Sequence, residues 1–329
     1  MPQNPATCDH KESAVTIGLN AVIIAVTDES PRILTISGSR HGVTAQEELD
    51  ALPFGPLDPE KDRTLEKGLR GWIREQTDLE IGYVEQLYTF GDRHRDPSER
   101  AGGPRVISIA YLALVREKEL VQSEGVHWRD FYSFLPWEDW REEKPAILRE
   151  KIIPGLKAWS ASSSSPLQTR ERVAIAFGLE GIKWDAEKVL ERYELLYEAG
   201  LVSEAHRDTG RIGHSRSPIL EVGTPMALDH RRMLATAVGR LRGKIRYRPV
   251  VFELLPPSFT LLRLQRVVEA LAGMRLHKQN FRRLVDRGGL VEGTGRIDHQ
   301  TGGRPAELFR FRREVLRERR APGVGLPGG

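Results

Sequence analysis

The chain has 329 residues, 39% hydrophobic and 29% charged, with a single cysteine. That length exceeds one ordinary domain and predicts two domains with a connecting segment, while the lone Cys8 excludes an intramolecular disulfide and argues against a zinc cluster. The net charge of +4 conceals an asymmetry: residues 226–329 hold 22 Lys and Arg against 9 Asp and Glu, net +13, and residues 1–225 hold 28 against 37, net −9. Opposite signs in the two parts suggest that the C-terminal part meets a polyanion.

Residues 1–13 (MPQNPATCDHKES) read as a disordered tail without the basic and apolar regions of a secretion signal. The longest apolar run, Ala21–Val26, is too short to span a bilayer. These features predict a cytoplasmic, nucleoid-associated protein with no membrane partner. Residues 14–26 and 32–36 are rich in β-branched side chains, with turn chemistry at Thr27–Pro31, and predict a hairpin. Leu65, Leu69, Trp72 and Ile73 form one face of a helix over 64–77, and Val84–Phe90 and Val106–Val115 read as strands. An α/β domain is therefore expected over 14–158. SASSSSPLQT, 160–169, cannot build a core by itself and opens a Ser-rich linker and helical insertion over 159–226. Its clearest helix is 184–201, closed by Gly200, and 206–225 is loop-like.

A basic, helix-rich domain is expected over 227–317, followed by a disordered tail over 318–329. Its first helix is 228–245. Ser258 is positioned to cap a second, 258–272, with Leu261, Leu264, Val268 and Leu271 on one face and Gly273 at its end. In HKQNFRRLVDRG, Phe281, Leu284 and Val285 share a face opposite Gln279, Asn280, Arg282 and Arg283. Two helices, a Gly-containing turn and an outward Gln/Asn/Arg face describe a helix-turn-helix. Residues 289–311 read as a hairpin wing, with Phe309 and Phe311 on one face and Arg296 and Arg304 in or beside its tip. Arg pairs naturally with guanine and Asn or Gln with adenine, so Gln279, Asn280 and Arg283 are the candidates for base edges. Lys278, Arg282 and Arg304 suit phosphates. A dimer of such domains reads an inverted repeat in double-stranded operator DNA.

The segment 52–97 resembles the Nudix fold, whose signature helix reads Arg-Glu-x-x-Glu-Glu-x-Gly. Gly55 stands where the signature begins; its Arg-Glu falls on Gly71 and Trp72, its paired glutamates on Glu75 and Gln76, and its closing Gly on Asp78. A hard cation is held by clustered carboxylates, and one glutamate is a poor substitute for three. YVEQLYTFGDRHRDP, 83–97, closely resembles the Nudix-related transcriptional regulators of NAD metabolism, the NrtR-like family. The same family carries an LxxLQ…NFRR…GRPA pattern, matched here by Leu261, Leu264 and Gln265, then Asn280–Arg283, then Gly303–Ala306.

The resemblance implies an α/β Nudix-like N-terminal domain, a mixed sheet with helices, joined to a C-terminal winged helix-turn-helix domain. It implies a homodimeric repressor of NAD biosynthesis or salvage genes, with ADP-ribose or a related NAD metabolite as effector. No catalytic residue, metal site or required cofactor is expected. A diphosphate needs fixed positive charge, which makes Arg93, His94, Arg95 and Arg105 the effector candidates, with Trp72 available to stack on an adenine. Two alternatives stand beside this reading: an ADP-ribose pyrophosphatase with a basic accessory domain, and a DNA-binding protein whose Nudix-like domain is only a dimerisation scaffold.

Overall fold

The computed structural model describes residues 15–27, 29–37, 49–93, 95–116, 125–208, 222–299, 305–318 and 323–324. The first half is built on β1 (Val15–Thr27), β2 (Ser30–Ser37), β3 (Asp50–Ala51), β4 (Phe54–Pro56), β5 (Tyr83–Phe90), β6 (Arg105–Leu114) and β7 (Val126–Asp130). Five of these run in the order β3-β2-β1-β6-β5, with β4 against β1 and β7 against β2. The β1–β6 pair is parallel and the other pairs are antiparallel, so the sheet is mixed.

Strand alternation sends odd and even residues of β1 to opposite faces. Leu19, Ala21, Ile23 and Ala25 pack with Leu69 and Ile73 of α1 (Leu65–Thr77). Val22, Ile24 and Val26 face a larger core that continues into the C-terminal part of the chain. Thr64 caps α1 by accepting from the Lys67 N–H, and Asp78 closes it in the left-handed region at φ 54°. That is the position assigned to the signature's glycine, and a short polar Asp tolerates the conformation better than most side chains.

Short helices α2 (Pro97–Arg100) and α3 (Phe131–Phe134) precede the helical middle of the chain, α4 (Ile153–Ser162), α5 (Pro166–Phe177), α6 (Val189–Glu198) and α7 (Ser203–Asp208). The Ser-rich run differs from the linker expected of it. Ser160 is buried within α4 and donates to the Lys157 carbonyl, and the Ser163 hydroxyl bonds to both Ser160 and Thr169. Serine hydroxyls satisfied by carbonyls three residues back are compatible with a helix end, and Pro166 at the start of α5 needs no N–H partner. Leu156, Val173, Phe177, Tyr193 and Leu196 of these helices are buried in the same core as the sheet's even face. The helix expected over 184–201 starts later, at Val189, because residues 185–188 form a turn.

The last part contains α8 (His230–Tyr247), α9 (Leu261–Ala272), α10 (Lys278–Gly288), the hairpin β8 (Val291–Asp298) and β9 (Ala306–Phe311), and α11 (Val315–Glu318). Helix α9 is capped by Thr260, whose hydroxyl accepts from the Arg263 N–H, rather than by Ser258. Phe259 is tied to the wing by backbone bonds to Phe309 in both directions, which delays the helix start. Among the described residues no helix is long and apolar enough to cross a membrane.

Candidate sensor site and nucleic-acid interface

The signature positions of α1 are occupied by side chains that bind the protein itself. The Trp72 ring lies directly over Gly55, where a Cβ would stand 2.2 Å from the indole, and its Nε1–H donates to the Pro56 carbonyl at 2.7 Å. Gln76 braces the same strand twice: Nε2 donates to Phe54 O at 2.6 Å and Oε1 accepts from Phe54 N at 3.2 Å. Of the three positions aligned with the signature's glutamates, only 75 carries a carboxylate, the exposed Glu75. Among the described residues no group of three His, Cys, Asp or Glu is placed to hold a metal ion. A divalent cation of the kind the Nudix fold holds does not fit this donor set, which offers an indole and an amide where carboxylates are needed.

The effector candidates do not converge on one point. Arg105 is in register with Val15 on the sheet face that carries Ile109 and α1, where Trp72 also lies, and donates to the Gly91 carbonyl at 2.7 Å. Ser108 belongs to the opposite face and accepts from Arg95 at 2.6 Å. The Arg95 side chain is 4% exposed and forms a two-pronged ion pair with Asp229, with Nε to Oδ2 at 2.9 Å. It therefore joins the Nudix-like domain to the start of α8 instead of standing ready in solvent. Arg93 is exposed and borders the same cleft as Arg95. His94 lies outside the described residues. Trp72 and Arg95 are thus separated by the sheet, because alternate residues of a strand project to opposite sides.

Helix α8 is anchored on the sheet along its length. His230 is fully buried; its Nδ1 accepts the Leu52 N–H at 3.0 Å and its Nε2 stands 3.2 Å from the Asn20 amide. Burial, reinforced by the charges of Arg95 and Arg207, pushes the His230 pKa down to about 3, so the ring is neutral. A neutral ring that accepts at Nδ1 carries its proton on Nε2, so its bond to Asn20 requires the side-chain amide to present its oxygen as acceptor on that side. Near the other end, Lys244 pairs with Glu85 and donates to the Tyr83 hydroxyl.

A second buried charge cluster holds the helix-turn-helix. Glu138 is clasped by Arg192 of α6 and Arg242 of α8, all three essentially without solvent exposure. Burial would raise the Glu138 pKa, but the two guanidiniums outweigh it and hold the carboxyl below its ordinary range. Arg242 also donates to the carbonyls of Leu271 and Glu138, and the Tyr132 hydroxyl donates to Ala270 O. Trp140 N–H donates to Gly273 O at 2.7 Å. Gly273 has φ 71°, and a Cβ there would meet Glu138 O at 2.4 Å and Arg242 Nη2 at 2.6 Å, so both conformation and space require glycine. None of these partners is detectable from local spacing: Arg192 and Arg242 lie 54 and 104 residues from Glu138.

Beyond that turn, Glu269 accepts from the Gln265 amide, the Leu276 N–H and Arg275, fixing the approach to α10. On α10, Phe281 and Val285 are buried and Leu284 is half-buried, while Lys278, Gln279, Asn280, Arg282 and Arg283 are exposed. Among the described residues, the one hydrogen bond made by these five is a long 3.4 Å bond from Arg283 to Asn280 Oδ1. In the wing, Phe311 stacks on Phe252 with centroids 4.4 Å apart. Arg296 is exposed on β8, and Arg304 lies outside the described residues.

Residues 251–311 match the family described as the NrtR DNA-binding winged helix domain. Residues 251–311 thus form an NrtR-type winged helix domain. The crystal structure of Shewanella oneidensis NrtR complexed with a 27mer DNA has a TM-score of 0.54 to it at 21% identity, over 92% of this chain and 95% of that one. A MutT/nudix family protein from Enterococcus faecalis has a TM-score of 0.51 at 15% identity, over 95% and 89% of the two chains. At these identities the likeness is one of fold, a Nudix-like domain followed by the NrtR winged helix. The ADPR responsive transcriptional repressor NtrR of Acinetobacter baylyi is 42% identical over 86 residues, 26% of this chain and 34% of that protein. The match thus spans about a third of this relative's length.

Proposed function

We propose that this NrtR-like protein is a transcriptional repressor of NAD biosynthesis or salvage genes. It binds an inverted repeat in double-stranded operator DNA as a homodimer and is released by ADP-ribose or a related NAD metabolite. The observation that carries this reading is the state of the polar side chains on α10. Five hydrogen-bonding residues face solvent with almost no internal partner, which is what a helix entering the major groove requires. The NrtR winged helix match and the printed description of the Acinetobacter relative support the same reading.

Gln279, Asn280 and Arg283 read base edges, and Lys278, Arg282 and Arg304 hold phosphates. The Nudix-like domain senses and does not hydrolyse, because its signature positions brace β4 instead of holding a metal. Arg93 and Arg95 attract the effector's diphosphate; Arg105 and Trp72, divided from them by the sheet, take no part in that contact.

The test is selection of duplexes from a random pool by the full chain, followed by titration of the selected duplex with ADP-ribose. Enrichment of an inverted repeat and at least about fivefold weaker binding with ADP-ribose are expected. Binding that ignores ADP-ribose, NAD and nicotinamide mononucleotide alike would leave the Nudix-like domain a scaffold.

A further inference from the structure

A cleft of about 200 Å³ lies where the loop carrying Arg93 and Arg95 meets α6, α7 and the start of α8. Four guanidiniums border it, those of Arg93, Arg95, Arg100 and Arg232. Three of them are already held by the protein's own oxygens. Arg95 is paired with Asp229, Arg232 with Asp92 and Glu194, and Arg100 donates to the Asp208 carbonyl. Arg93 makes no hydrogen bond or ion pair among the described residues and is exposed at the cleft's edge. The arrangement is that of an anion site most of whose places are filled by internal carboxylate and carbonyl oxygens.

Asp229 stands at the N-cap of α8, yet its side chain caps no backbone N–H, because Arg95 holds it. Aspartate is among the preferred N-cap residues. Once released from Arg95, it has a second place to bind, the N–H of Arg231 or Arg232 in α8's first turn, the His230 N–H being held by the Ala227 carbonyl. Two alternative partners for one carboxylate make a two-state contact. The helix so affected carries Arg242 further along, and Arg242 holds the carbonyl of Leu271 at the helix-turn-helix.

We propose that this cleft is a phosphate or diphosphate seat, and that an entering anion takes Arg95 from Asp229, transferring Asp229 to the end of α8. The inference rests on the effector-sensing reading above and adds the regulation of that site. A cleft this size is smaller than ordinary cofactor pockets, so it receives the diphosphate portion of a nucleotide, and the rest of the molecule extends outward past Arg93. Four further carboxyl groups, those of Asp92, Glu194, Glu204 and Asp208, face the same space. They repel an anion unless a guanidinium is freed for it, which is why binding is coupled to rearrangement. Glu204 is turned to Arg231 and the Met226 N–H.

The experiment is calorimetric titration of the full chain with inorganic pyrophosphate and, separately, with ADP-ribose and with Mn²⁺, using wild type, Asp229→Asn and Asp229→Ser. Asn and Ser are both good N-cap residues, so the variants keep the start of α8 while removing the competing charge; thermal unfolding checks that they fold. Both variants are expected to bind pyrophosphate and ADP-ribose at least about fivefold more tightly than wild type. ADP-ribose binding of unchanged affinity in both variants overturns the inference and leaves the sensing reading intact. Pyrophosphate binding tightened by the variants, with no ADP-ribose binding in any of them, upholds the seat and overturns the choice of effector. Heat evolved with Mn²⁺ and none with pyrophosphate would make the cleft a cation site and overturn the proposal.

Discussion

Helices α1 and α10 are of similar length and both carry polar residues on a face turned from the core, yet they treat those residues in opposite ways. On α1, Trp72 and Gln76 are bonded to the backbone of Pro56 and Phe54. On α10, Lys278, Gln279 and Arg282 make no hydrogen bond or ion pair among the described residues, and Arg283 and Asn280 share one long contact. A donor or acceptor already satisfied within the fold has little left to offer a ligand, whereas one facing solvent exchanges water for a partner at small cost. The polar side chains of α1 are committed within the fold, and those of α10 face solvent.

The largest test of how α10 is held is removal of Glu138. Glu138→Ala leaves Arg192 and Arg242 buried without a counter-charge, and about 3–5 kcal/mol of stability should be lost in denaturant unfolding. The wild-type carboxyl titrates below its ordinary range. Its stabilisation is therefore complete above that range and is lost as pH falls through the folded-state value, a loss absent from the variant.

His230 acts over a different window. Its folded pKa of about 3 lies below the ordinary 6.5, so between these values the unfolded chain binds a proton that the folded chain excludes. Stability should fall by about 1.4 kcal/mol per pH unit as pH drops below about 6.5. His230→Gln should flatten that slope; an unchanged slope from pH 6 to 4.5 would show that the ring is not what resists protonation.

On α1, replacing Gln76 by the glutamate of the Nudix signature should lower stability by about 1–3 kcal/mol, because a carboxylate cannot donate to Phe54 O. It should yield no AMP from ADP-ribose with Mg²⁺. Release at ordinary enzymatic rates, about 1 s⁻¹ or more, would show that the brace is incidental.

On α10 the corresponding change should leave unfolding unaffected and alter recognition. Arg283→Ala should reduce the preference for the selected duplex over a scrambled one by about 1–3 kcal/mol. Arg282→Ala should give the smallest effect, weakening both duplexes alike and lowering the salt slope by about one unit. Equal losses on both duplexes for Arg283→Ala would assign it to the phosphates instead.

Much of this architecture is readable from local pattern. The apolar alternation of β1, the face formed by Leu69 and Ile73, and the pairing of Phe281 with Val285 each depend on neighbours within a few residues, so periodicity alone places them. The exposed set Gln279, Asn280, Arg282 and Arg283 follows from the same geometry. Harder to see were the cap at Thr260, displaced from Ser258 by the wing's hold on Phe259, and the helical ends of the Ser-rich run, where Ser160 and Thr169 are buried.

What the sequence determined by itself was the identity of most elements and the residue types on α1, an indole at 72, a carboxylate at 75 and an amide at 76, since a residue type either can or cannot supply a ligand atom. Only the tertiary structure decided that Arg95 is committed to Asp229, 134 residues away, and that Trp72 and Arg95 are divided by the sheet. It alone joined Glu138 to Arg192 and Arg242. Charge pairs of this kind depend on where three-dimensional packing removes water, and the order of residues along the chain carries no measure of that distance.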